Sequence, residues 1–435
     1  MRLKTPLKLM AVSAISTLLL LPSAAFAGGE DVYTLKRSIS EAIEKNWTLK
    51  SKQERIVQAR QVKKQARAEF LPKFSTTYGY TRLNEPTTFG GTPITTQDNY
   101  QWKGTVSQPV FTGYALVSAY ELSKLGIDQS KLQADLEKLD LALRVKQEYF
   151  GILQAEKALD VTKKAVTSLK SNVKVARSFY DVGMIPVNDL LKAEVDLANA
   201  EQNLVKARRD LRLARSSFNT VLARPINAHV SVEDILTYKP VEKKFDEYLK
   251  KAVANRPALK AIDVSLKQTD QQVRLTKSRL YPEVALTYDY IREGDDPDVD
   301  GSSYHDSSRW EVTAGLTWTF WEWGKTYYSV KEIESLKNEL IQTRSSLLDN
   351  ITLEVKEAFL TIEEAEAAIP TAEKALEQGE ENLRVNEQRY KAQVTTITEV
   401  LDAQTQLTRA RTNYYNALYA HHLAKARLMR AIGTF

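Results

Sequence analysis

The 435-residue sequence contains no cysteine and only four histidines. The absence of cysteine excludes disulfide bonds and a lipid-modified N-terminal cysteine. The histidines, at positions 229, 305, 421 and 422, do not have the spacing of a metal site, and neither a glycine-rich phosphate loop nor a nucleophile elbow is present. These absences leave no support for an enzyme, a cofactor or a histidine or cysteine metal site.

Long apolar runs are missing after residue 27, so any membrane crossing by the remaining chain must be made by strands. Residues 1–27 carry three basic residues, an apolar run from Leu9 to Leu21 and the sequence Ala-Phe-Ala at positions 25–27. This layout predicts a cleavable signal peptide over residues 1–27, with the mature chain beginning at Gly28. The apolar run is too short for the alternative, an uncleaved membrane anchor.

An excess of one charge sign is also missing. Loss of the three basic residues of the signal peptide lowers the formal net charge from +6 to +3. The remaining lysines and arginines alternate with acidic residues along the predicted helices, so nucleic acid is not an expected partner.

A strict heptad pattern is present between Pro186 and Arg224. This pattern predicts a long helix that packs along its length against another long helix. A weaker stripe at Leu191, Val195, Ala198 and Val205 predicts a second neighbour. The heptad positions are Leu190, Ala193, Leu197, Ala200, Leu204, Ala207, Leu211, Ala214, Phe218 and Val221.

The same pattern returns 210 residues later, from Val400 to Ala431. The constant shift indicates an internal duplication, because it also aligns residues outside the heptads. The duplication predicts a first structural repeat over residues 28–239 and a second over residues 240–435. Aligned identical residues are Pro72 and Pro282, Tyr78 and Tyr288, Tyr80 and Tyr290, and Asn203 and Asn413.

Four segments alternate apolar and polar residues with a period of two, at about 73–82, 100–111, 283–292 and 309–320. Their length and their aromatic residues are typical of outer-membrane barrel strands. A soluble, half-buried sheet alternates in the same way and is the alternative. The residues expected to face lipid as an aromatic belt are Tyr78, Tyr80, Trp102, Tyr288, Tyr290, Trp310 and Trp318.

The predicted fold class is α+β and mostly helical: each repeat has a helix, two strands, a long helix and another helix. The predicted helices cover about 35–71, 114–180 and 186–224, then 245–280, 325–390 and 397–432. Because two short helices laid end to end about equal one long helix, the body can be a column four helices wide. Four strands do not close a transmembrane barrel, so the chain must oligomerise, giving eight strands as a dimer or twelve as a trimer.

One predicted loop contains Asp296, Asp298, Asp300 and Gly301, the spacing that opens a calcium-binding loop. The bidentate glutamate expected six residues after the glycine is replaced by Ser307. A solvated acidic loop is therefore the default interpretation, and calcium binding is the alternative.

The two predicted turns between long helices read FYDVGM followed by NDLLKA at residues 179–184 and 188–193, and RY followed by EVLDAQ at 389–390 and 399–404. Together with the signal peptide, the duplication and the two predicted β-hairpins, these turns resemble the TolC-like outer-membrane efflux protein family. The resemblance implies a homotrimer with a 12-stranded transmembrane β-barrel and a periplasmic tunnel of long helices. It also implies an outer-membrane location in a Gram-negative-type cell and work as the exit duct of a tripartite efflux pump or a type I secretion system. The implied partners are a periplasmic adaptor and an inner-membrane transporter of the RND, ABC or MFS type.

The resemblance also implies the positions of two sites. The turn Val182, Gly183 and Met184 corresponds to the tip that contacts the adaptor, and the second tip has Gln393, Val394 and Thr395 where glycine would be usual. Glu399 and Asp402 correspond to the acidic residues that narrow the tunnel mouth, and Asp189 is the counterpart of Glu399 in the first repeat. The alternative is that these acids are solvated residues at a helix start.

A different function class shares the long helices: a periplasmic coiled-coil adaptor or scaffold without a membrane pore. It would lack strands with a lipid-facing side, so the faces of the predicted strands distinguish it from a duct.

Overall fold

The computed structural model describes residues 32–241, 244–304 and 306–435. The predicted signal peptide and His305 lie outside these ranges. The helices are α1 (Leu35–Lys45), α2 (Trp47–Ala68), α3 (Ala115–Asp181), α4 (Val187–Val221), α5 (Phe245–Asn255), α6 (Pro257–Lys277), α7 (Lys325–Lys391) and α8 (Ile397–Ala431), with a 3₁₀ turn at Ser278–Leu280. The strands are β1 (Val32–Tyr33), β2 (Lys73–Arg82), β3 (Thr88–Phe89), β4 (Thr92–Pro93), β5 (Asp98–Thr112), β6 (Ser231–Val232), β7 (Glu283–Gly294) and β8 (Ser308–Thr317).

The structure repeats with the 210-residue shift seen in the sequence. Helices α3 and α7 both contain 67 residues, or about 100 Å at 1.5 Å per residue, and α4 and α8 both contain 35. Left-handed backbone also recurs at this shift, at Gly183 and Gln393 and at Ala223 and Gly433. The division at residues 239 and 240 stays a prediction.

The helices form a wall four helices wide. Near the turns that follow α3 and α7, the order across the wall is α4, α3, α8 and α7. Near the sheet, the order is α2, α3, α6 and α7, because the shorter helices take the places of α4 and α8. None of the helices in the described ranges has the length and hydrophobicity needed to span a membrane.

Two predicted helices are each split in two, so the predictions of single helices over 35–71 and 245–280 are wrong. The break falls at Asn46, whose side-chain oxygen accepts hydrogen bonds from Thr48 N and Leu49 N at the start of α2. The counterpart of Asn46 is Arg256, which is followed by Pro257 at the first position of α6. Both residues have extended backbone, which ends one helix before the next begins.

The four long strands form one antiparallel sheet in the order β2, β5, β7, β8. The last strand ends at Thr317, so the prediction that it reaches residue 320 is wrong. Trp318 instead donates its indole N–H to the carbonyl oxygen of Leu280, 3.1 Å away. Within the described ranges no strand pairs with the outer edges of β2 and β8, and all residues of these two strands are exposed.

The heptad positions form buried cores. Leu190, Ala193, Val400 and Ala403 are buried together near the turns. Two further clusters near mid-wall are counterparts of each other: Leu49, Val145, Ile152 and Phe218 in the first repeat correspond to Leu259, Val355, Ile362 and Leu428 in the second. The second stripe differs, because Leu191, Val195 and Val205 remain more than half exposed. Its predicted neighbour is therefore absent from the described part of this chain.

His421 occupies the position at which the first repeat has Leu211. It is 1% exposed, and neither ring nitrogen has a hydrogen-bond partner among the described residues. Its Nε2 lies 3.9 Å from a carboxylate oxygen of Glu366, and its ring packs edge-on against Tyr238. Burial lowers the pKa of His421 below its usual value, although the Glu366 carboxylate opposes this shift.

We predict that His421→Leu stabilises the protein, because it restores the residue type of the first repeat and removes two unpaired polar atoms, a gain of about 1–3 kcal/mol. The gain should be larger at pH 5 than at pH 7.5. Below the unfolded pKa the unfolded wild type takes up a proton that buried His421 resists, so the stability of the wild type falls as the pH falls.

Thermal unfolding in detergent at the two pH values measures both effects, with the exposed His229→Leu as the control. A lower melting temperature for His421→Leu at pH 7.5, or a gain that does not change with pH, would contradict the account of this buried imidazole.

Candidate functional site

The two turns at the end of the wall have the same hydrogen bonds. In the first, Gly183 N donates to Tyr180 O and Met184 N donates to Phe179 O, both at 2.8 Å. In the second, Gln393 N donates to Tyr390 O and Val394 N donates to Arg389 O, both at 2.9 Å. This is the Schellman arrangement, which satisfies the last carbonyls of a helix and requires a left-handed residue after it.

That left-handed residue is Gly183 in one turn, with φ of 75°, and Gln393 in the other, with φ of 60°. Glycine adopts this conformation without strain and glutamine does not. Gln393 also reaches the other turn, since its side-chain nitrogen lies 2.7 Å from Met184 Sδ. The structure thus brings the six predicted tip residues to one end of the wall, where Val182, Met184 and Val394 are each more than half exposed.

The three predicted gate acids lie just beyond these turns. Glu399 and Asp402 are exposed on the first turns of α8, away from buried Val400 and Ala403. Asp189 lies in the matching turn of α4 and is partly buried. Burial raises the pKa of the nearby Tyr390 hydroxyl, and the charge of Asp189 raises it further.

A groove between α4 and α8 extends from this end of the wall. Its first part, about 320 Å³, is lined by Lys192 and Asp196 of α4 and by Asp402 of α8. Its second part, about 450 Å³, has α3 at its base and is lined mainly by hydroxyl and carboxamide side chains. Sequence reasoning noted Asn203 and Asn413 only as duplicated residues, whereas both line this groove.

One face of the sheet carries the predicted aromatic belt. The strand register places Tyr78 opposite Trp102 and Tyr288 opposite Val312 on the same face, and Trp318 follows β8 with the same alternation. The rings contact each other across strands. Centroid separations are 6.2 Å for Trp102 and Tyr290, and 6.5 Å for Tyr288 and Trp310.

The opposite face of the sheet is polar and carries ion pairs that sequence reasoning missed. Lys103 Nζ lies 2.9 Å from Asp289 Oδ2, and Thr105 donates its hydroxyl to the other oxygen of the same carboxylate. Arg309 pairs with Glu293. The period of two showed that these residues share a face, but only the register shows which of them meet.

The acidic loop after β7 holds its carboxylates apart. Asp300 pairs with Arg292, and Asp296 accepts a hydrogen bond from the backbone of Asp298. In the described part of the chain, no three histidine or acidic side chains converge as metal ligands would.

Two segments of the chain, residues 38–224 and 248–434, match the model of the outer membrane efflux protein family. The second match begins 210 residues after the first. The chain belongs to the outer membrane efflux protein family.

Named relatives of this efflux family member are distant. The chain is 23% identical over 336 residues to outer membrane protein TolC of Escherichia coli, a match that spans 71% of this chain and 64% of TolC. It is 22% identical over 294 residues to the cobalt-zinc-cadmium resistance protein CzcC of Cupriavidus metallidurans, covering 68% of each. Among solved structures, the fold is similar to the CmeC outer membrane channel of Campylobacter jejuni, with a TM-score of 0.81, 18% identity and coverage of 92% of this chain and 85% of CmeC.

For the predicted gate, the double variant Glu399→Gln with Asp402→Asn should lower cation selectivity and weaken block by a trivalent cation about ten-fold or more. In the trimer that the family resemblance implies, three copies of both acids would surround the channel axis. Folding should be unaffected, because both side chains are exposed.

Single-channel recording in a salt gradient is the measurement. Asp189→Asn is the matched control. Its effect should be smaller, because in α4 Lys192 occupies the position that Asp402 occupies in α8. If the double variant has an unshifted reversal potential and unchanged block, these acids do not line the tunnel mouth.

Proposed function

We propose that three copies of this chain form the exit duct of a tripartite efflux pump or a type I secretion system. The sheets would form one 12-stranded barrel in the outer membrane, and the helical walls would form a tunnel through the periplasm. The duct would conduct substrates passively from an inner-membrane transporter of the RND, ABC or MFS type. Membership of the efflux family leaves the adaptor or scaffold alternative without support.

One strand pairing inside the chain carries this proposal. The equivalent pairing predicted by the duplication is not made within the chain and would have to be made between chains. Strand β5 of the first repeat pairs with β7 of the second. Because β8 is the counterpart of β5 and β2 is the counterpart of β7, the same contact would join β8 of one chain to β2 of the next. Both strands have an open edge in the described part of the chain.

The helices support the same assembly. Helix α8 packs against α3 inside the chain, so its counterpart α4 would pack against α7 of a neighbouring chain. The exposed Leu191 of α4 corresponds to Leu401 of α8, which is 5% exposed in the core near the turns. An apolar stripe along α4 is what such a contact requires.

The two faces of the sheet fit a barrel wall in lipid. The aromatic face would meet the bilayer, and the polar face would line the pore. One chain supplies four long strands, fewer than the eight of the smallest such barrels. Three chains supply twelve, the number that the family resemblance implies.

Cysteine cross-linking tests the contact between chains. The pairing of Thr105 with Asp289 inside the chain corresponds to Gly315 of one chain opposite Gly79 of the next. An added Cβ meets no atom within 4 Å at either glycine, and the native chain has no cysteine. Gly79→Cys with Gly315→Cys should therefore form an oxidised, SDS-resistant trimer that a reductant dissociates.

The control is Gly79→Cys with Thr317→Cys, which shifts the second cysteine by two residues on the same face of the sheet. It should cross-link much more slowly. Equal cross-linking of both pairs, or dimers as the end product, would contradict the proposed closure.

The tip turns are the proposed contact for a periplasmic adaptor. At Gly183 the left-handed backbone disfavours any side chain and nothing lies within 4 Å of an added Cβ, so a large side chain would project outward into a docking partner. Gly183→Trp should abolish export in cells and leave the yield of trimer intact.

Gly90→Trp is the matched control, because Gly90 is also left-handed with open space around it but lies in the loop between β3 and β4. Export should persist in this control. Export that also persists in Gly183→Trp would mean that the adaptor does not dock on this turn.

A further inference from the structure

The polar face of the sheet carries its charges in rungs of alternating sign. In one rung, Lys103 of β5 and Arg309 of β8 flank the buried Ile291 of β7. In the adjacent rung, Asp289 of β7 lies directly opposite Glu311 of β8. Two carboxylates placed directly opposite each other repel, and Lys103, which contacts Asp289, offsets this repulsion.

Lys103 shields Asp289 from the space above the sheet. Its ammonium lies 2.9 Å from the Asp289 carboxylate, whose side chain is only 7% exposed, whereas the side chain of Lys103 is 35% exposed. Thr105 donates to the same carboxylate and covers its other oxygen. A solute above the polar face therefore meets the ammonium and not the carboxylate beneath it.

This arrangement occurs once per chain. At the edges expected to meet between chains, the counterparts of Lys103, Thr105 and Asp289 are Thr313, Gly315 and Gly79. Those positions carry none of the three groups, so an assembled pore would repeat this set of charges, here called a charged rib, once per chain. In each rib, Lys103 and Arg309 against Asp289, Glu293 and Glu311 leave one net negative charge.

We propose that Lys103 sets the charge that the barrel section of the pore presents to small ions, because it neutralises and covers Asp289. This inference rests on the proposed function, in which the polar face lines the pore. Without Lys103, each rib would present the adjacent acids Asp289 and Glu311 to the passing ion, and fixed charges close to a pore axis set which ions enter.

The experiment measures the reversal potential of single channels in a potassium chloride gradient. Lys103→Gln should raise the ratio of potassium to chloride permeability about two-fold or more, and Asp289→Asn, which leaves the ammonium without its partner, should lower it by a similar factor. The double variant should return close to the wild-type ratio. A merely structural role for the pair would not give shifts of opposite sign that cancel.

Arg82→Gln is the matched control, because it removes the same charge from the aromatic face, where Arg82 lies 3.4 Å from Asp98. It should leave the ratio unchanged. Each variant is first shown to run as a trimer and to insert into bilayers.

Two failures are distinguishable. If the wild type forms no trimer and no channel, the proposed function fails. If the wild type conducts and Lys103→Gln inserts with an unchanged ratio, the role of Lys103 is refuted while the duct stands. Should Lys103→Gln fail to assemble, Asp289→Asn and the double variant still decide the question, because an unchanged ratio in Asp289→Asn refutes the role as well.

Discussion

The open edges of β2 and β8 constrain the rest of the molecule. Their backbone N–H and C=O groups have no partner in the described part of the chain, and hydrocarbon would offer them none. A sheet with one aromatic face and one polar face is stable in a bilayer only when such edges are paired. The duplication offers a solution, because the pairing of β5 with β7 inside one chain would serve as the template for the proposed pairing between chains. The exposed apolar stripe of α4 follows from the same repetition.

The two repeats keep one backbone while their side chains differ at particular points. Gly183 and Gln393 share a left-handed conformation that suits only the first, and Leu211 is matched by buried His421. Asn46 and Arg256 both break a helix, and each donates to a carbonyl near the end of the long helix beside it. The two repeats therefore have the same fold but differ in chemistry at the tip turns and at buried positions of the wall.

The long helices could be predicted within a few residues, because heptads specify them locally, and α7 continues through Pro370. The apolar pattern does not mark the breaks at Asn46 and Arg256; their local signals are the capping side chain of Asn46 and Pro257 at the first position of α6. The end of β8 depends on a hydrogen bond from Trp318 to a residue 38 positions away. The ion pair of Lys103 and Asp289 depends on strand register, which pairs residues 186 positions apart and which alternation alone leaves open. The gate and tip assignments concern surfaces that one chain leaves exposed, so they stay predictions until the assembly is measured.

The central claim is that the chain closes into a ring by repeating its own internal contact. The mass of the protein in detergent, with bound detergent subtracted by light scattering, tests this claim most directly. The account predicts three chains per particle over a wide range of protein concentration. A particle of one chain, or one that grows with concentration without closing, would contradict it.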